Sequence, residues 1–231
     1  MLPSLTVCKK GLRSFHQKHP TSTFDVFWKY RTQVEKTSSI LDDAHLQQTV
    51  ELLYSNPINN GNWRLTRTGV PTRSGVKQIL LRIRHDYDSV RGVHLGSGRI
   101  KRFRKHVANL YAGLSGTSHT YYTQPNEFGE FYIVGTSKVL MFLWGQTPSF
   151  DSIVIDNFSL WMHSPKPYQL PHLWTGTNKY TPEQYCDILE ELDSWVVKWN
   201  QRYKKFGQRF QTLVPGIPAG RVIDIIYWIQ A

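Results

Sequence analysis

Phe131 to Ile155 reads FYIVGTSKVLMFLWGQTPSFDSIVI, and no other part of the chain is as informative. A turn at Gly135 leads into an apolar helix that carries one lysine, Lys138. A proline turn at Pro148 and a single Asp151 follow. Because Val139 to Trp144 is apolar without a break, the Lys138 amine is expected to emerge from a buried helix rather than a wet face. Burial of that kind lowers a lysine pKa from about 10.4 and frees the amine as a nucleophile near neutral pH. The chain has the reach to bring a carboxylate to it. Lys138 to Gly145 spans ~10 Å of helix, and Gln146 to Asp151 can extend ~20 Å, so the segment can double back and set Asp151 beside Lys138. Asp151 also reads as an ordinary helix N-cap, standing before Ser152-Ile153-Val154-Ile155.

Working outward, the flanking sequence is helical in pattern. Phe24, Phe27, Trp28 and Arg31 mark a short helix. Leu46, Val50, Leu53 and Tyr54 mark another, with Asp42 or Asp43 as its cap and Asn56-Pro57 as its stop. Val76, Ile79, Leu80 and Ile83 define a basic amphipathic helix, and Ile100, Phe103, Val107 and Leu110 a second, separated by the glycine-rich RGVHLGSG. The clearest helix starts at Thr181-Pro182-Glu183-Gln184, where Thr181 caps, Pro182 fills the first turn and Gln184 completes a capping box. Its apolar face is Tyr185, Ile188, Leu189, Leu192, Trp195, Val196, Trp199 and Tyr203. Pro218 opens a last helix through Val222, Ile225 and Ile226 to Trp228. The fold class is therefore mainly α, with room for a short β-hairpin across Tyr121, Tyr122 and Phe128 to Val134. Residues 1–23 are basic and polar and read as an N-terminal arm, leaving 24–231 as a single domain.

Charge is concentrated. The formal net charge is +11, and between Arg64 and Lys105 twelve basic residues face only Asp86 and Asp88 along the chain. Arg64, Arg67, Arg73, Lys77, Arg99, Lys101 and Arg102 are the candidate phosphate contacts. Gly69, Gly75, Gly92, Gly96 and Gly98 are interleaved with the arginines and would let backbone approach a phosphate closely. A polyanion, nucleic acid in particular, is the expected partner.

The 231 residues contain 40% hydrophobic and 13% aromatic residues, which excludes bulk disorder. Two cysteines, Cys8 and Cys186, build neither a disulfide framework nor a cysteine-rich zinc site, so a reducing cytosol fits best. His16 and His19 have a ligand-like spacing but no companions, and no metal is expected. No apolar run approaches the ~20 residues a bilayer demands, and no nucleotide-binding or hydrolase motif is present.

The order Val134-Gly135-Thr136, Lys138 on an apolar helix, then Pro148 and Asp151 resembles the signature of the helix-hairpin-helix DNA glycosylases, in the 8-oxoguanine glycosylase branch. The closer likeness is to bacterial proteins with an 8-oxoguanine glycosylase fold, whose ending Arg221, Asp224 and Trp228 also resemble. The motif covers about a tenth of the chain. It departs from the family in having Gly135 alone of the usual glycine pair, with Ile133 at the other position. The resemblance implies a two-lobed helical fold acting as a monomer without a cofactor on double-stranded DNA that carries a modified base. It makes Lys138 the Schiff-base nucleophile, Asp151 its activating carboxylate, and Gly135 part of the DNA-gripping hairpin.

Trp144, Phe150 and Trp161 are the candidate walls of a base pocket, since base-flipping enzymes hold the extruded base between aromatics. Core packing is the commoner fate of each tryptophan. The leading expectation is a DNA glycosylase, with AP-lyase activity following from the Schiff base. The departures from the housekeeping pattern suggest a hypermodified base in invading phage DNA as target, and so a defence role. A non-catalytic basic DNA-binding module is the alternative. A nuclease or RNA-binding protein ranks third, because the paired acidic residues Asp42-Asp43 and Glu190-Glu191 read as a cap and a solvated helix face.

Overall fold

The computed structural model describes residues 2–18, 22–54, 72–115, 133–150 and 181–229. Among them the chain forms eight α-helices and no strand. These are α1 (Leu5–Lys18), α2 (Thr23–Val34), α3 (Asp43–Leu53), α4 (Arg73–Val90), α5 (Arg104–Ser115), α6 (Ile133–Leu143), α7 (Pro182–Tyr203) and α8 (Ala219–Ile229). A 3-10 turn, Ile100–Phe103, runs directly into α5. No described helix is long and apolar enough to cross a membrane.

Local chemistry sets the helix starts. Thr181 accepts from the Gln184 amide and Gln184 returns the bond, with Pro182 at the first turn, as the sequence pattern requires. Ser22 and Asp25 form the same reciprocal box for α2, and Thr72 caps α4. Asp42 holds the N-cap position of α3, but its side chain makes no capping bond. Its carboxylate takes the Ser38 hydroxyl at 2.5 Å, the Ser39 amide at 2.9 Å and Arg84 at 2.7 Å. Those donors, Ser38 foremost, hold its pKa well below the usual carboxylate range.

One apolar cluster draws side chains from all eight helices. α5 lies at its centre, packed against α4, α6 and α7, while α3 backs α4 and α2 touches both α3 and α6. The end of α6 is pinned by two groups that converge on one carbonyl: Arg31 Nε donates to Leu143 O at 2.5 Å and the Tyr87 hydroxyl at 3.1 Å. Arg31 is buried, and its charge makes this one of the stronger bonds in the fold, about 1.5–3 kcal/mol.

Two expectations are corrected. The described part of the expected 1–23 arm is not an arm, because α1 packs against α8 and buries Cys8, Leu12 and Phe15. Those three, with Leu5 partly covered, form a helical stripe hidden in the sequence by Lys9, Lys10 and Arg13 on the other face. The hairpin fails at its end, since Ile133 and Val134 are the first turn of α6. Its remaining residues lie outside the described residues.

Candidate active site

α6 carries Lys138 at its midpoint, half-buried, with Gly135 in the first turn rather than in a loop before the helix. After Leu143 the chain reverses at Gly145, whose φ of +76° only glycine adopts easily. A Cβ there would also lie 2.3 Å from the Trp28 ring. The Gly220 amide of α8 donates to the Gly145 carbonyl at 3.0 Å, and a Cβ on Gly220 would fall 2.4 Å from the Thr147 nitrogen. Two glycines thus let α8 lie directly on the returning strand of chain.

That returning segment is bonded residue by residue. The Leu95 amide donates to Gln146 Oε1 at 2.9 Å, and the buried Tyr185 hydroxyl to Thr147 Oγ1 at 2.9 Å. The Ser149 amide donates to Asp224 Oδ1 at 3.0 Å, and the Phe150 amide to Ser137 Oγ at 2.9 Å. Asp224 is buried and its second oxygen pairs with Arg221. The Arg221 guanidinium lies 5.2 Å from the rings of both Phe15 and Phe24. The doubling back expected from chain length is therefore present as far as Phe150, which is held against the residue preceding Lys138. Asp151 itself lies outside the described residues, as do Trp161, Arg64 and Arg67.

Trp144 and Phe150 are core side chains, 1% and 3% exposed. Trp144 spends its indole N–H on the Val93 carbonyl at 3.0 Å, and Phe150 meets the Tyr185 ring edge-on at 5.9 Å. Neither ring offers an open face for a base.

The basic segment is less one-sided in space than along the chain. Arg73 pairs with Glu51 at 2.9 Å and lies over Tyr54. Arg84 pairs with Asp42 and Asp43, Arg91 with Glu35, and Arg104 with Asp187 and Glu190. These four arginines tie α4 and α5 to their neighbours. Lys77 is half-buried one helical turn beyond Arg73. Arg99, Lys101 and Arg102 are exposed and pair with no carboxylate among the described residues.

The glycine-rich turn is also differently employed. Asp193 Oδ1 accepts from the Gly96 amide at 2.5 Å and the Gly98 amide at 3.3 Å, so these donors serve the fold and not a phosphate. Asp193 was hidden among the acidic residues of α7, although its spacing from Leu189 and Val196 places it on the buried stripe. Among the described residues no group of His, Cys, Asp or Glu could hold a metal ion.

What the fold defines is a mainly α-helical protein whose lysine-bearing helix is clasped by its own returning chain. No protein-family model, curated protein or solved structure gives a significant match to it.

Proposed function

We propose that this chain is a DNA glycosylase of the helix-hairpin-helix type, using Lys138 as nucleophile and Asp151 as its carboxylate partner. One observation carries the reading. The Phe150 amide bonds to Ser137, so the residue immediately before Asp151 is tied to the residue immediately before Lys138. A neutral Lys138 amine would attack C1′ of an extruded nucleotide, forming a C–N bond as the glycosidic bond breaks. The base departs with that electron pair and takes up a proton, while Asp151 accepts the proton that the amine sheds. Opening of the sugar ring leaves an iminium, from which strand cleavage can follow. No metal or organic cofactor enters these steps.

Borohydride trapping on duplex DNA bearing oxidised or phage-type hypermodified bases tests the chemistry. A covalent adduct formed by the native chain and lost in Lys138→Gln is expected. Absence of an adduct on every modified duplex, with salt-sensitive binding retained in Lys138→Gln, would leave the non-catalytic DNA-binding module. Mass analysis of released bases separates repair from defence, and release of 8-oxoguanine alone would end the defence reading.

A further inference from the structure

Carboxylates from other parts of the fold pair with Arg73, Arg84, Arg91 and Arg104, and one exposed basic cluster pairs with no carboxylate among the described residues. Arg99, Lys101 and Arg102 stand exposed on the 3-10 turn that leads into α5, and His106 follows one helical turn after Arg102. We propose that Arg99, Arg102 and His106 form a grip for the sugar-phosphate backbone of nucleic acid. The proposal rests on the nucleic-acid partner inferred above but is independent of the lysine chemistry.

Spacings of three and four residues put these side chains along one edge of the turn and helix. Arg99 is held 5.5 Å from the Phe103 ring, which limits the side-chain freedom lost on binding. His106 is held more firmly. Its Nδ1 meets Asp86 Oδ1 at 2.7 Å, and the Asn109 amide donates to that same oxygen at 3.0 Å. Nε2 has no partner among the described residues and is not buried. A ring oriented by a carboxylate at one nitrogen and open at the other suits an anion when it is charged: the imidazolium donates from both nitrogens, to Asp86 and to a phosphate oxygen. The neutral ring, with its proton on the Asp86 side, presents only a lone pair, which repels phosphate. Backbone binding therefore takes up a proton, and affinity rises as pH falls.

The groups facing His106 include a second imidazole. From α4 these are Asp86 and His85, whose ring centroid lies 5.9 Å away. Of the other helices packed on α5, α7 carries Asp187 and Glu190, both taken by Arg104, and Lys138 is the one titratable residue of α6. Lys105 is on its own helix.

The test is fluorescence anisotropy on an unmodified DNA duplex, with salt titrations in mildly acidic and mildly alkaline buffer. The slope of log affinity against log salt should drop by about two in Arg99→Gln/Arg102→Gln, reflecting two lost phosphate contacts. In His106→Gln it should drop by about one, in the acidic buffer alone, and the pH dependence of binding should weaken. Arg84→Gln, which removes a paired arginine, should keep the native slope while melting earlier. Duplex binding with an unchanged slope in Arg99→Gln/Arg102→Gln would overturn the grip and spare the nucleic-acid reading. So would native pH dependence in His106→Gln. Failure of the native chain to bind any duplex would overturn both.

Discussion

The Phe150 amide donates to the Ser137 hydroxyl across 2.9 Å, closing the chain that leaves α6 onto the turn that carries Lys138. Both residues are buried, so no water stands ready to replace the bond. Ser137→Ala removes this buried bond and should cost about 1 kcal/mol, measured as a lower urea midpoint. If the glycosylase reading holds, the same change should lower borohydride trapping more than it lowers duplex binding. Equal losses in both would argue that Ser137 only supports the fold.

The buried Asp224 and the partly buried Arg221 form an ion pair over Phe15 and Phe24. Asp224→Asn keeps an oxygen for the Ser149 amide but strands the guanidinium without its counter-charge, and should destabilise by about 3 kcal/mol. Pairing it with Arg221→Met should recover part of that loss. A double-mutant cycle by equilibrium denaturation decides, and strict additivity would show that the two charges do not depend on each other.

Gly96 and Gly98 both have positive φ, +82° and +68°, yet differ in their surroundings. A Cβ at Gly96 would lie 2.4 Å from Val196 and 2.3 Å from Gln211, whereas Gly98 has nothing within 4 Å. Gly96→Ala should cost about 3 kcal/mol from backbone strain and overpacking together. Gly98→Ala should cost about 1 kcal/mol from the backbone alone. Thermal melts that rank the two variants the other way would contradict this account of the turn.

Burial pushes the thiols of Cys8 and Cys186 from an ordinary 9.0 up to about 12. Each native thiol keeps its proton through a range in which the unfolded chain has lost it. Stability should therefore decline as pH climbs from about 9 toward 12, and Cys8→Ala/Cys186→Ala should flatten that decline. Neither thiol should react with iodoacetamide at pH 8 until denaturant is added. Rapid native labelling would show that one of them reaches solvent.

Periodicity and capping make most of the described helices legible in the sequence. α7 starts where Thr181, Pro182 and Gln184 place it, and α4 buries Val76, Ile79, Leu80 and Ile83 as their spacing requires. What stayed hidden was pairing across long sequence separations. Arg104 meets Asp187, and Asp193 meets the Gly96 amide, through contacts that no local window contains. Charge counted along 64–105 therefore overstated what remains exposed. At the site, the reversal after α6 followed from chain length and the Pro148 turn. The Ser137 anchor did not, because a serine beside a lysine carries no local signal of a partner thirteen residues on. The Asp86–His106 tie escaped for the same reason, each residue sitting on a different helix.

The contact between α1 and α8 has a bearing on how the molecule is made. Some two hundred residues separate Lys18 from Ala219, and the helices on either side of that interval cover each other. During translation Cys8, Leu12 and Phe15 emerge long before their cover exists, so the nascent chain carries an oily helix with nowhere to dock. α1 cannot be covered until α8 has been synthesised, and holdase chaperones should find their target at α1.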